Sequence, residues 1–229
     1  KTDNTIEVHI GDGTSSNNGD GGHGTNAAIG RPHDVYAHPD GDLFVTSASG
    51  KVIRKRGTDQ LMSTVAGDGG VGSICVNGNN ALSCDISLPK KMTMNSIGDL
   101  YFSNSLHNVN KISPDNTFSI VAGTSASGYN TDEGVGTDIQ LSSPEGVAAS
   151  WTTGSVFICD YGNHRVRKLD PSGYITVIMG TGVSTYNGDG NAPWLTTVIQ
   201  PAAICFDSNE TYVYVSQGSA ARVRRFQMT

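Results

Sequence analysis

The sequence predicts an all-β chain, a β-propeller of four four-stranded antiparallel blades, and three observations predict it. An apolar segment ending in glycine recurs as Ile6–Gly11, Met62–Gly67, Phe118–Gly123 and Ile175–Gly180. A proline opening the next strand recurs as Pro32, Pro89, Pro144 and Pro201. Both series keep an interval of about 56 residues, which loop insertions would have pulled apart unless each unit folded as one object. Third, the interval is filled by short apolar runs between Gly, Pro, Asn and Asp turns, and no stretch supports a helix of useful length. A four-stranded meander in tandem is the sequence form of a propeller blade.

In chain order, residues 1–31 hold a closing strand, Thr5–Ile10, and a Gly-rich loop, but no opening strands. Units then start near residues 32, 89, 144 and 201. The third is the plainest, with strands Gly146–Ala149, Ser155–Asp160, Arg165–Leu169 and Tyr174–Met179. Tyr161-Gly162-Asn163 and Asp170-Pro171-Ser172-Gly173 reverse the chain between them. After Pro201 come Ala203–Phe206, Thr211–Ser216 and Arg222–Gln227, with no fourth strand. The two terminal deficits are complementary. Thr5–Ile10 is therefore expected beside Arg222–Gln227, completing the last blade of a single domain spanning 1–229 and hiding an edge that would invite aggregation. Made to a neighbouring chain instead, the same pairing would build a polymer.

The turn of unit three, Asp160-Tyr161-Gly162-Asn163-His164-Arg165-Val166-Arg167-Lys168, followed by Asp170-Pro171-Ser172-Gly173, resembles the NHL-repeat β-propeller family. Unit two has a shortened version, Asn104-Ser105-Leu106-His107-Asn108-Val109-Asn110-Lys111, while Ser47 and Gln217 replace Asp160 in units one and four. The resemblance covers nearly the whole chain and assigns Asp160, Asn163, His164, Asn104 and His107 to the repeat turn, where the histidines are expected to be structural. An aliphatic-polar-basic triplet persists in every unit: Ile53-Arg54-Lys55, Val109-Asn110-Lys111, Val166-Arg167-Lys168 and Val223-Arg224-Arg225. Its basic residues are expected to be solvated and paired with nearby acids.

Glycine and proline, 29 and 8 of 229 residues, mark a turn-rich chain, and the 16% of charged residues suits a secreted β-protein. The net charge of −6 argues against a nucleic-acid partner, since that affinity rests on Lys and Arg neutralising phosphates. No apolar run is long enough to span a bilayer, so membrane insertion is not expected. Lys1 opens the chain without the apolar core of a signal peptide, so the chain is expected to be processed or excerpted.

Cys75 and Cys84 are expected to form a disulfide clipping a loop, because their spacing is not that of a zinc site and no His pair accompanies them. Cys159 and Cys205 either pair between neighbouring blades or stay as two buried thiols. Asn209-Glu210-Thr211 is a glycosylation sequon in a turn of the last unit. The long loops carry Asp among Gly, but not the oxygen-ligand spacing of a calcium loop, so the acids are expected to form turns.

No nucleophile elbow, zinc-protease helix or phosphate loop is present. Some lyases resembling this family hold a metal over the channel. The corresponding positions here are His33, Asp34, Lys90, Glu145 and Ala202, a poor metal cage. The expected function is a non-catalytic extracellular structural or protein-interaction module with no cofactor, using its terminal strands or Gly-rich loop face, with self-assembly as one outcome. The alternative is a hydrolase or lyase with a metal at the central channel.

Overall fold

The computed structural model describes residues 6–228. Four antiparallel sheets follow one another as blades. Blade one is β1 (Pro32–Ala37), β2 (Leu43–Ser47), β3 (Val52–Arg56) and β4 (Met62–Ala66); blade two is β5 (Pro89–Met94), β6 (Leu100–Asn104), β7 (Val109–Ile112) and β8 (Phe118–Ala122). Blade three contains β9 (Glu133–Val135), β10 (Val147–Ala149), β11 (Val156–Asp160), β12 (Arg165–Leu169) and β13 (Tyr174–Met179). Its order is β10-β11-β12-β13-β9, so a piece of the preceding loop makes a fifth strand. Blade four is β14 (Pro201–Phe206), β15 (Tyr212–Gln217) and β16 (Arg222–Gln227).

The core lies between blades. Phe44 and Ile53 meet Ile86, Met92 and Phe102 between blades one and two. Val109, Ile139, Val156 and Ile158 fill the next layer, and Phe157, Val166, Ile204 and Val215 the third. This follows from strand alternation: the facing sides of neighbouring sheets are apolar and bury each other. The loop entering each of blades one to three also crosses beneath that blade's outer strand. Gly21 and Gly22 bond Met62, Gly78 and Asn79 bond Phe118, and Gly136 bonds Gly173, covering the edges of blades one to three.

The N-terminal expectation is corrected here. Residues 6–10 form no strand, make no ladder with β16 among the described residues, and leave Ile6 fully exposed. The Gly11 and Asp12 amides donate to the carbonyls of Gly24 and Ala27, which moor the segment to the loop of blade one. Thr5 lies outside the described residues. The blades follow one another around the propeller, β1 packing on β5, β5 on β10 and β10 on β14.

Candidate functional site

The inner strands of all four blades line a central cavity of about 640 Å³, with Asp34, Tyr36, Met92, Trp151, Phe206 and Glu210 on its wall. Charged groups on and beside this wall join blade to blade. Asp34 pairs with Lys91 (3.3 Å) and accepts from the Met92 amide (2.9 Å). Lys90 pairs with Glu145 at 2.5 Å. Glu210 accepts from the Ser150 hydroxyl (2.7 Å) and from the amides of Trp151 (2.6 Å) and Thr152 (3.2 Å), tying blade four to the turn of blade three. His33 is exposed and meets Lys91 only through its carbonyl (3.4 Å). Ala202 brings no polar group. Among the described residues, no three His, Cys, Asp or Glu side chains converge as a metal site would need.

The turn residues also join successive blades. His107 and His164 both adopt the left-handed conformation (φ 59° and 54°), and each Nδ1 accepts an amide of the next blade's opening segment, from Ser143 (2.9 Å) and Gln200 (3.1 Å). Burial lowers both imidazole pKa values, aided by Lys90 near His107 and Arg165 near His164. Gly123 and Gly180 close their blades at φ +102° and +99°, where a Cβ would strike the carbonyls of His107 and His164. Asn104 accepts from the amides of Leu106 (3.0 Å) and Asn108 (3.4 Å). Asn163 donates to Gly128 O (2.7 Å) and Asp160 (2.9 Å).

The triplet's middle residue departs from the solvated reading. Arg54 and Arg167 are wholly buried. Arg167 donates to Asp160 at 2.7 Å and to the Thr131 and Asp132 carbonyls; Arg54 donates to the Asn18 and Ala28 carbonyls and to Asp20. Arg224 repeats this with Thr197 O, Gly188 O and Asp189. Each guanidinium thus gathers the carbonyls of a Gly-rich loop that cannot order itself. Desolvation raises the pKa of buried Asp160 against the pull of Arg167. Sequence reasoning missed this role, although an arginine repeating in phase with a loop aspartate was a readable signal. The third residue of the triplet does pair with acids: Lys55 with Asp42 (2.8 Å) and Lys111 with Asp99 (3.6 Å).

The loop acids are also engaged. Asp12 accepts from Thr14, Asp68 from the Gly70 and Gly72 amides, Asp132 from Arg165, and Asp189 from Tyr186 and Arg224. Cys75 and Cys84 are bonded, with Cα atoms 5.1 Å apart. Cys159 and Cys205 are free, and Cys205 is exposed, so neither expectation for that pair describes it. Cys159 stands in blade three where Thr46 and Ser103 donate hydroxyls to the Lys90 and Glu145 carbonyls of the next blade, and burial raises its thiol pKa. Asn209 is exposed in the β14–β15 turn.

Residues 141–169 match the NHL repeat, and with its four blades the chain resembles the NHL-repeat propellers. No curated protein matches the chain. Among solved structures it is similar to an auxiliary nutrient binding protein of Bacteroides thetaiotaomicron (19% identity, 82% of this chain and 45% of that one, TM-score 0.61). It is also similar to a gluconolactonase of Xanthomonas campestris (11%, 86% and 58%, TM-score 0.59) and to a chain of a nidogen/laminin complex (12%, 86% and 60%, TM-score 0.57). The chain therefore spans about half the length of these structures, and identities this low carry the fold alone.

Proposed function

We propose that the chain is a non-catalytic extracellular module that binds protein partners, its own copies among them. The observation that carries this reading is the state of the charges at and beside the channel: Asp34, Lys90, Lys91, Glu145 and Glu210 are all engaged in bonds between blades. Groups tied into ion pairs and hydrogen bonds between blades serve the fold rather than being presented to a substrate. The Cys75–Cys84 bond supports an oxidising compartment, and exposed Asn209 would be open to glycosylation there. No helix among the described residues is long and apolar enough to cross a membrane.

The enzymatic alternative draws on the gluconolactonase-like fold and is testable directly. Lactones and phosphomonoesters are offered with Ca²⁺, Zn²⁺ or Mg²⁺, beside Glu145→Gln and Asp34→Asn. No turnover above buffer is expected for any of the three proteins. Metal-dependent turnover abolished by either substitution would make the channel an active site and end the non-catalytic reading.

A further inference from the structure

Blade two holds a cavity where the other blades hold an arginine. Asn110 has the register position of Arg54 and Arg167: it pairs with Ile120 of the outer strand as Arg54 pairs with Thr64 and Arg167 with Val177. Those arginines and Arg224 each send a guanidinium beneath the incoming loop to bind its carbonyls. Asn110 is too short to reach so far. Under the loop of blade two lies a cavity of about 130 Å³, walled by Ile74, Val76, Ile86, Phe118 and Ile120 and lined also by Asn110. Ile74 and Val76 are themselves exposed and form its rim.

Asn110 is wholly buried, and neither its Oδ1 nor its Nδ2 has a hydrogen-bond partner among the described residues. The other polar side chains around the cavity are engaged. Asn108 exchanges two bonds with Ser125, both 2.9 Å, while Asn104 accepts from the Leu106 and Asn108 amides and donates to Ile86 O. Asp85 accepts from Lys51 Nζ (2.7 Å) and from the Ser87 amide (2.6 Å). The cavity therefore offers one acceptor and one donor, side by side on a single planar group, within apolar walls. Water matches this poorly, since a buried water needs about three polar partners. A cation matches it poorly too. Where Arg54 meets Asp20 and Arg224 meets Asp189, blade two has the neutral Asn77, whose Oδ1 accepts from the Ile120 amide (2.7 Å).

We propose that this cavity binds a primary carboxamide, carried by a small neutral molecule or by a glutamine side chain. The two amides pair head to head: Asn110 Nδ2 donates to the ligand oxygen, and the ligand nitrogen donates to Asn110 Oδ1. Ile74, Val76, Ile86, Phe118 and Ile120 cover the short carbon chain behind it. A cavity of about 150 Å³ admits benzene, so a group of about five non-hydrogen atoms fits here. The Cys75–Cys84 bond anchors the rim at residues 74–76, which leaves little loop ordering for the ligand to drive. The site goes beyond the proposed function and is independent of it, since it shares no lining residue with the central cavity.

The test is a titration of isotope-labelled protein followed by NMR, with propionamide as the probe. Saturable shifts are expected at the Asn110 side-chain amide and at the backbone amides of Ile74, Val76 and Ile120, with a Kd of about 1 mM for so small a ligand. Butanone has the same shape and acceptor but no donor, and guanidinium has donors but no acceptor. Each should bind at least about tenfold more weakly, because an Asn110 atom is then buried without a partner. Asn110→Val should weaken propionamide about tenfold, and its spectrum shows directly whether the variant folds; were it not to fold, the butanone and guanidinium comparisons decide alone. N-acetylglutamine methylamide separates the two sources. Binding as tight as that of propionamide assigns a side chain and weaker binding a free amide, and both support a carboxamide site. Propionamide without saturable shifts at these groups, butanone or guanidinium binding as tightly, or a folded Asn110→Val protein that binds as the wild type does would each overturn it.

Discussion

The loops entering blades two and three solve one problem in two ways. Both are Gly-rich and run beneath an outer strand, Phe118–Ala122 in one case and Tyr174–Met179 in the other. In blade three the wholly buried Arg167 binds two carbonyls of the loop and Asp160. In blade two Asn110 occupies the arginine's place. Asn77 accepts from Ile120 N much as Asp20 accepts from Thr64 N in blade one, so the loop acid has become neutral as well. Both charges are gone together, Asn110 is buried with its amide unpartnered, and the loop is held by Cys75–Cys84. A buried cation persists only with its acceptors around it, and where the pair is lost a covalent clip does the holding.

The strongest test of the comparison removes the cation. Arg167→Met leaves Asp160 buried without its counter-charge, and a loss of about 3–5 kcal/mol is expected from the shift in denaturant midpoint. Asn110→Val should change stability by about 1 kcal/mol or less, because that amide already lacks partners. Equal losses at the two sites would erase the distinction between them.

Next in size is the clip. Cys75→Ser with Cys84→Ser should cost at most about 3 kcal/mol, since the closed loop is short. The damage should be local, read as new proteolytic cuts within residues 67–88 while the loop of blade three stays protected. Cuts appearing in both loops at once would mean that the disulfide holds more than its own loop.

A smaller effect is expected from moving one solution into the other's place. Asn77→Asp with Asn110→Arg, made in the disulfide-free background, should recover about 1 kcal/mol beyond the sum of the single changes in a double-mutant cycle. Position 77 is exposed, so screening limits the gain. A coupling of zero would show that the arginine works through the loop carbonyls alone.

The repeat was legible because its two markers are backbone necessities. The closing glycine must take a positive φ, and each strand has to alternate its faces. The blades, the turn residues and the span of the disulfide loop could therefore be read directly. The course of residues 6–10 could not, because pairing within a chain and pairing between chains use identical backbone bonds. That residues 6–10 are held by the Gly11 and Asp12 amides and not by a ladder with β16 is a tertiary fact. Arg54 and Arg167 were misread as solvated for a related reason. A basic residue in a strand looks exposed until the loop that covers it is in place.

The joints between blades differ in the same spirit as the loops, and pH separates them. Blades two and three use His107 and His164, whereas Lys51 holds the equivalent left-handed turn position in blade one and pairs with Asp85 at 2.7 Å. Each imidazole accepts through Nδ1, so its proton must sit on Nε2 and the folded chain favours the neutral ring. Burial lowers both folded pKa values below the unfolded value of about 6.5. The unfolded chain therefore binds more protons as pH falls past that value, so this stabilisation is complete above it and drains away on acidification until the folded pKa is passed. His107→Asn with His164→Asn keeps a residue that tolerates the left-handed turn and offers an acceptor, but removes the titration. The wild type should lose stability from pH 7.5 to 5 more steeply than this double variant, in denaturant midpoints measured side by side. Because the other histidines remain in both proteins, a difference that does not change with pH would show that these two rings carry no proton-linked stability.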